Sequence, residues 1–311
     1  MFTWLGYATS LRAVLVLGCI WGIMGIGVYI TYKILKIADL TVDGSFVSGA
    51  AVTFIVLKAT GNPMLALFTG FLMGMGAGLV TGLLHTLLGI PAILSGILTQ
   101  IALWSINLKL MGPNAAFNRV MKNASLITSS NIWDAAWKVA IILVVIIAVL
   151  YIFFGTELGA SIRATGNNEK MARSQGINTK FATVLGLMIS NGLVAFAGGL
   201  LTQYNGNFDI KMGIGSIVTG LCAIIIGGAI FSKIGKNFAV RLFGVAVGAM
   251  VYFFVYQTVI FLRFDTDLLK LISAVAVALV LGIPYIRKHY GTAISKRIKN
   301  RKLRKRDDTY A

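Results

Sequence analysis

The sequence predicts an all-α, polytopic membrane protein of about nine transmembrane helices, and three observations carry that expectation. Hydrophobic residues make up 57% of its 311 positions and charged residues only 12%. The mean hydropathy of +0.84 is far above that of a soluble domain of this length. Several apolar runs, Val139–Phe154 the cleanest, approach the roughly 20 residues that a helix needs to cross a hydrocarbon core about 30 Å thick.

Taken in order, the first apolar stretch predicts a helix over 11–35. It is too long for a signal-peptide core and lacks a small-x-small cleavage site, so it stays as a span. Helices over 44–58, 64–88, 91–111 and 133–155 follow, then 181–204, 213–232, 238–261 and 266–286 after a polar interruption. Gly70, Gly74, Gly78 and Gly82 recur every fourth residue of the third helix. Such a smooth ridge lets membrane helices approach closely, and its spacing does not fit a dinucleotide fingerprint. The expected organisation is a helical body, 1–286, followed by a basic tail, 287–311.

The interruption, 157–180, is a long polar segment set between strongly apolar runs. It reads as a short helix between two glycine turns. Gly166 opens it, Asn167 or Asn168 accepts hydrogen bonds from the free N–H groups of its first turn, and Gly176 closes it in the left-handed conformation. Arg163, Lys170, Arg173 and Lys180 mark it as cytoplasmic, since short loops rich in Lys and Arg remain inside.

The net charge of +18 comes largely from the tail, where ten of the 28 basic residues fall between Arg287 and Arg306. Directly after a span, such a tail anchors topology and meets anionic head groups; a nucleic-acid partner is not expected. With tail and central segment both inside, four spans lie between them and five precede them, which puts the N-terminus outside. The 112–132 connection is then external, although it carries Arg119 and Lys122. The sequon at Asn123 is read as a chance triplet. Cys19 and Cys222 are isolated in apolar runs, so neither a disulfide framework nor a metal site is expected.

The two halves resemble one another. Gly44-Ser45-Phe46-Val47-Ser48-Gly49 returns as Gly215-Ser216-Ile217-Val218-Thr219-Gly220, and Gly27 and Thr31 match Gly198 and Thr202 at the same offset. On the parity above, the two helices cross in opposite directions. This is an inverted repeat of four helices, one extra, then four, as in transporters that rock two halves about a midplane path.

Asp39, Asp43 and Ser45 begin a short apolar helix. Carboxylates here must sit at an interface, line a water-filled path or find donors. Two readings stand: a substrate path, or capping, with Asp43 or Ser45 satisfying N–H groups at the start of the 44–58 helix. Gln100, Asn107, Asn191 and Gln203 are further polar residues within spans, each a pore-liner or an interhelical hydrogen bond. Nothing marks an enzyme. His-Glu-x-x-His and Gly-x-Ser-x-Gly are missing, and Gly228–Lys236 puts six residues between its glycines where a phosphate cradle needs four.

With those residues laid out, Gly166-Asn-Asn-Glu-Lys-Met-Ala-Arg-Ser-Gln-Gly176-Ile177, followed by Ala197-Gly198-Gly199, resembles the coupling segment of permease subunits of ATP-binding-cassette importers. The class is the one that carries branched-chain amino acids, ribose and autoinducers. The stretch Asp-Leu-Thr-Val-Asp-Gly-Ser-Phe at 39–46 resembles a branch of importers for aromatic amino acids such as tryptophan or tyrosine. The resemblance implies a type II permease fold in a bacterial plasma membrane, a second permease chain, an extracytoplasmic binding protein, and ATP and Mg held by separate ATPase subunits. It makes Gly166 and Gly176 the ends of a lever, with Asn168 inside it. Glu169, Lys170 and Arg173 become its docking face, and Met171 and Ala172 the residues that insert into the ATPase. The alternative is a self-contained secondary transporter coupled to ions through Asp39 and Asp43.

Overall fold

The computed structural model describes residues 4–112, 118–119, 125–129, 131–231 and 237–261, with Val275 and Gly282 as single positions. The expected ninth span, 266–286, and the tail, 287–311, therefore lie outside the described residues, as does Asn123. Residues up to Gln257 form one compact unit; of the second, Thr258–Ala311, only the end of the last helix and those two positions are described.

Ten α-helices are described: α1 Trp4–Tyr29, α2 Thr41–Thr60, α3 Pro63–Thr86, α4 Ala92–Met111, α5 Ile132–Gly155, α6 Glu157–Asn167, α7 Glu169–Ser174, α8 Thr179–Asn205, α9 Ser216–Phe231 and α10 Phe238–Phe261. Eight stretches are long and apolar enough to cross a membrane, and they match the first eight expected spans to within a few residues. Their starts follow local chemistry. Asn62 caps α3 by accepting from the amides of Met64 and Leu65, with Pro63 in the first turn, and Asn178 caps α8 through Phe181 N. The first helix does not end in α geometry. It continues as a π-helical segment, Ile30–Leu35, closed by Ile37 N donating to Thr31 O and by Lys36 at φ 58°.

Helices α1, α2 and α8 form the centre, with 78, 67 and 72% of their spans buried, against 28 and 22% for α4 and α5. Small residues bring them together. The ridge Gly70, Gly74, Gly78 and Gly82 lies against Thr53, Ala195 with Asn191, Leu187 and Val184, so α3 runs antiparallel to both α2 and α8. Ser45, Gly49 and Thr53 meet Asn191, Ala195 and Gly199 in the same order, so α2 and α8 run parallel. A side chain at Gly49, Gly74, Gly78 or Gly198 would strike the backbone of the facing helix.

The same contacts fix the remaining directions. Gly18 and Gly22 of α1 meet Met250 and Ala246 of α10, and Ala223 and Gly227 of α9 meet Gly248 and Gly244. Both pairs are antiparallel, so α9 runs with α1. Since Gly27 and Leu35 meet Ser190 and Gly186, α1 opposes α8, and α9 consequently opposes α2. At the end away from α6 and α7, β1 (Asn118–Arg119) pairs antiparallel with β2 (Asn207–Phe208), joining the α4–α5 and α8–α9 connections.

Candidate functional site

Two constellations stand out, one at an end of the bundle and one inside it. The first is the 157–180 segment, which folds as two helices rather than one. Thr156 caps α6 and Asn168 caps α7, its Oδ1 accepting from Met171 N at 3.1 Å. Gly176 follows α7 at φ +82°, a conformation that an L side chain resists, and its amide donates to Arg173 O. Gly166, expected to open the short helix, instead lies in the last turn of α6. A Cβ there would overlap Ile34 O, so glycine is what allows α6 to rest on the π-helical end of the first span. The expected start is corrected to Glu169, because Asn168 and not the glycine supplies the cap.

Helix α7 is braced to α8 by three side chains. Arg173 Nη2 donates to Glu169 Oε1 at 2.8 Å and to Thr179 Oγ1 at 3.3 Å, and the Thr179 hydroxyl donates back to Glu169 at 3.3 Å. Thr179 is the first residue of α8 and is buried, while Glu169 and Arg173 are exposed. Lys170 and Met171 face outward, Met171 with 58% of its surface exposed. Ala172 is turned inward and buried. A cavity of about 300 Å³ lies behind the brace, with Leu35, His85 and Lys180 in its wall; His85 Nδ1 is 2.8 Å from Ile90 O.

The second constellation is built on Asn191, buried in α8. Its Nδ2 donates to Asp39 Oδ2 at 2.7 Å and to Leu187 O at 3.1 Å, and its Oδ1 accepts from Ser45 Oγ at 2.6 Å. Asp39 Oδ1 accepts from Thr41 N at 2.9 Å. A hydroxyl chain continues from Thr41 to Thr81 at 2.8 Å and on to Thr99 at 3.0 Å, linking α2, α3 and α4.

Asp43 sits one turn further along α2 and caps a different helix. It accepts from Gly215 N at 3.0 Å, Ser216 Oγ at 2.7 Å and Ile217 N at 2.9 Å, which satisfies the free amides at the start of α9. The expected capping of α2 by Asp43 or Ser45 is thus corrected. Helix α2 begins at Thr41, three residues early, so Asp39 serves its first amide and Asp43 is free to reach α9. Asn191 lies twelve residues beyond Thr179, about 18 Å along α8. Both α2 and α9 therefore start inside the bundle, where non-helical backbone survives only if protein groups satisfy it.

The profile of the family described as "Branched-chain amino acid transport system / permease component" matches residues 10–283. The chain belongs to this permease family. Its relatives include a tyrosine transport system permease protein of Clostridioides difficile, 36% identical over 279 residues, which are 88% of this chain and 91% of that one. The inner membrane ABC transporter permease YjfF of Escherichia coli is 26% identical over 232 residues, 71% of this chain and 66% of that protein. An autoinducer 2 import system permease of Yersinia enterocolitica is 29% identical over 188 residues, 60% of this chain and 51% of that one. No solved structure matches the chain.

Within this permease, the residues expected along a substrate path fall into three groups. Asp39, Ser45 and Asn191 come together in one buried knot. Gln203 is a tie at the opposite end, accepting from Leu126 N and donating to Pro63 O, both at 3.1 Å. Gln100 lies half-buried where α4 passes Gly44, and Asn107 is buried on the same helix with neither side-chain atom hydrogen-bonded. Sequence reasoning named Ser216 only as part of the repeat, and did not single out Thr179 or the Thr41–Thr81–Thr99 chain. Thr179 follows an N-cap asparagine, which is a legible sign of a helix start, whereas the threonine chain joins residues whose proximity no local pattern encodes.

Proposed function

We propose that this permease forms the substrate pathway of an ATP-driven importer of amino acids, aromatic ones favoured, and takes its drive from an ATPase docked on α7. ATP and Mg then belong to the ATPase subunits, with a second permease chain and an extracytoplasmic binding protein completing the assembly in a bacterial plasma membrane. The tail and α7 lie on the cytoplasmic side and the N-terminus outside.

The observation that carries this reading is the way α7 is held. It is an exposed helix of six residues fixed at both ends, by the Asn168 cap and by the Gly176 turn, and braced through Glu169 and Arg173 to Thr179. Helix α6 before it rests on Ile34 through Gly166. A push on α7 reaches α8 through the brace and the first span through α6, and both run into the centre of the bundle. Lys170 and Met171 offer outward contacts for the ATPase, while Ala172 supports the helix from within. The name of the Clostridioides difficile relative supports the amino-acid and aromatic reading.

The opposed directions of α2 and α9 and their shared start inside the bundle support an inverted arrangement of the two halves. Since Asp39 and Asp43 are both held by protein donors, an ion-coupled transporter working through them has no support here. Replacing Glu169 and Arg173 together with alanine should leave the chain inserted and lower substrate-stimulated ATP hydrolysis of the assembled complex. Ion-driven uptake by vesicles that contain this chain alone would overturn the proposal.

A further inference from the structure

A cavity of about 530 Å³ opens between the π-helical segment, α9 and α10, and shares no lining residue with the cavity behind the α7 brace. Its rim carries two cations, Lys33 and Arg241, and two phenols, Tyr29 and Tyr32. Both cations are exposed, and neither has an acidic partner among the described residues.

Below the rim the wall is apolar. Ile224 lies seven residues before Phe231, about 10 Å deeper along α9, and Val245 closes the α10 side. The rim stands where the first span ends. Lys33 adjoins Ile34, on which α6 rests, and the span itself closes at Leu35. Cations and phenols at the level of a span's end, above an apolar slot running into its depth, suit a ligand with a phosphate head and a hydrocarbon body.

We propose that this cavity is a binding site for one anionic phospholipid, its phosphate held by Lys33 and Arg241 and its first acyl segments lying along Ile224 and Val245. A free phosphate would leave the slot filled with water against apolar side chains. A zwitterionic lipid offers no net charge to balance two cations. Because Lys33 adjoins the contact between the first span and α6, the bound lipid stiffens the joint on which the α6–α7 pair rests.

Glycines in the wall supply a test that leaves the charges alone. A Cβ at Gly228 meets nothing within 4 Å, so Gly228→Met fills the slot without moving backbone, whereas its neighbour Gly227 lies against Gly244 O. The full chain is placed in nanodiscs of phosphatidylcholine with a minor share of phosphatidylglycerol, and native mass spectrometry counts the lipids retained. Wild type should hold phosphatidylglycerol preferentially. At about fivefold per cation, Lys33→Gln with Arg241→Gln should reduce that preference about 25-fold. Gly228→Met should reduce it with an unfolding temperature no lower than that of wild type, and Lys58→Gln should leave it intact.

If the double variant does not fold, Gly228→Met decides the matter alone. Equal retention of the two lipids by wild type, or undiminished phosphatidylglycerol on Gly228→Met, overturns the proposal. So does full displacement of the lipid by millimolar inorganic phosphate. The assay contains no ATPase, so its outcome is independent of the transport reading.

Discussion

The Asn191 knot and the α7 brace use the same chemistry in opposite surroundings. Each ties a carboxylate to a polar side chain of another element, Asn191 for Asp39 and Thr179 for Glu169, within a set of bonds of 2.6–3.3 Å. In the knot every member is buried, so losing one leaves its partner without water and costs the desolvation of that partner as well. In the brace Glu169 and Arg173 are 60 and 63% exposed, water replaces whatever is lost, and the pair adds little to stability. One arrangement holds the bundle together; the other sets the direction of a surface helix at small energetic cost.

That contrast can be broken by substitution. The largest effect is expected at the knot: Asn191→Leu leaves Asp39 Oδ2 without its donor in the core, while the Ser45 hydroxyl falls back on Thr41 O and Val42 O, and should lower stability by about 3 kcal/mol. Thermal unfolding of the purified chain in detergent reads this directly, and a change under about 1 kcal/mol would mean that water enters the knot. Asp43→Ala comes next, since it frees two backbone amides and a hydroxyl at the start of α9. A loss of about 1–2 kcal/mol is expected, with Asp43→Asn recovering part of it. The smallest effect belongs to Glu169→Gln, expected within about 0.5 kcal/mol of wild type by the same melt. A large destabilisation there would show that the brace supports the fold and is not an orienting device.

How far the sequence could be read follows the same division between local and distant contacts. The spans were legible because length and hydropathy are properties of consecutive residues, and the ridge from Gly70 to Gly82 was legible because one face of a helix repeats every fourth residue. The turn at Gly176 was legible for its backbone requirement. Gly166 was misplaced because its reason is a close approach to Ile34, which lies more than a hundred residues earlier. Asp43 was assigned to its own helix for a related reason: capping signals are read within a few residues, and its true partners, Gly215 and Ile217, are more than 170 away.

By itself, then, the sequence determined a membrane-embedded helical permease with a polar segment in its middle, because bilayer thickness and helix rise leave few other ways to place such runs. Only the tertiary structure decided which polar residues within the spans meet. It gathered Asp39, Ser45 and Asn191, sent Asp43 to α9, turned Ala172 inward and left Met171 outward. The physical reason is that a buried polar group must find its partner somewhere in the fold, and chain position alone does not say where.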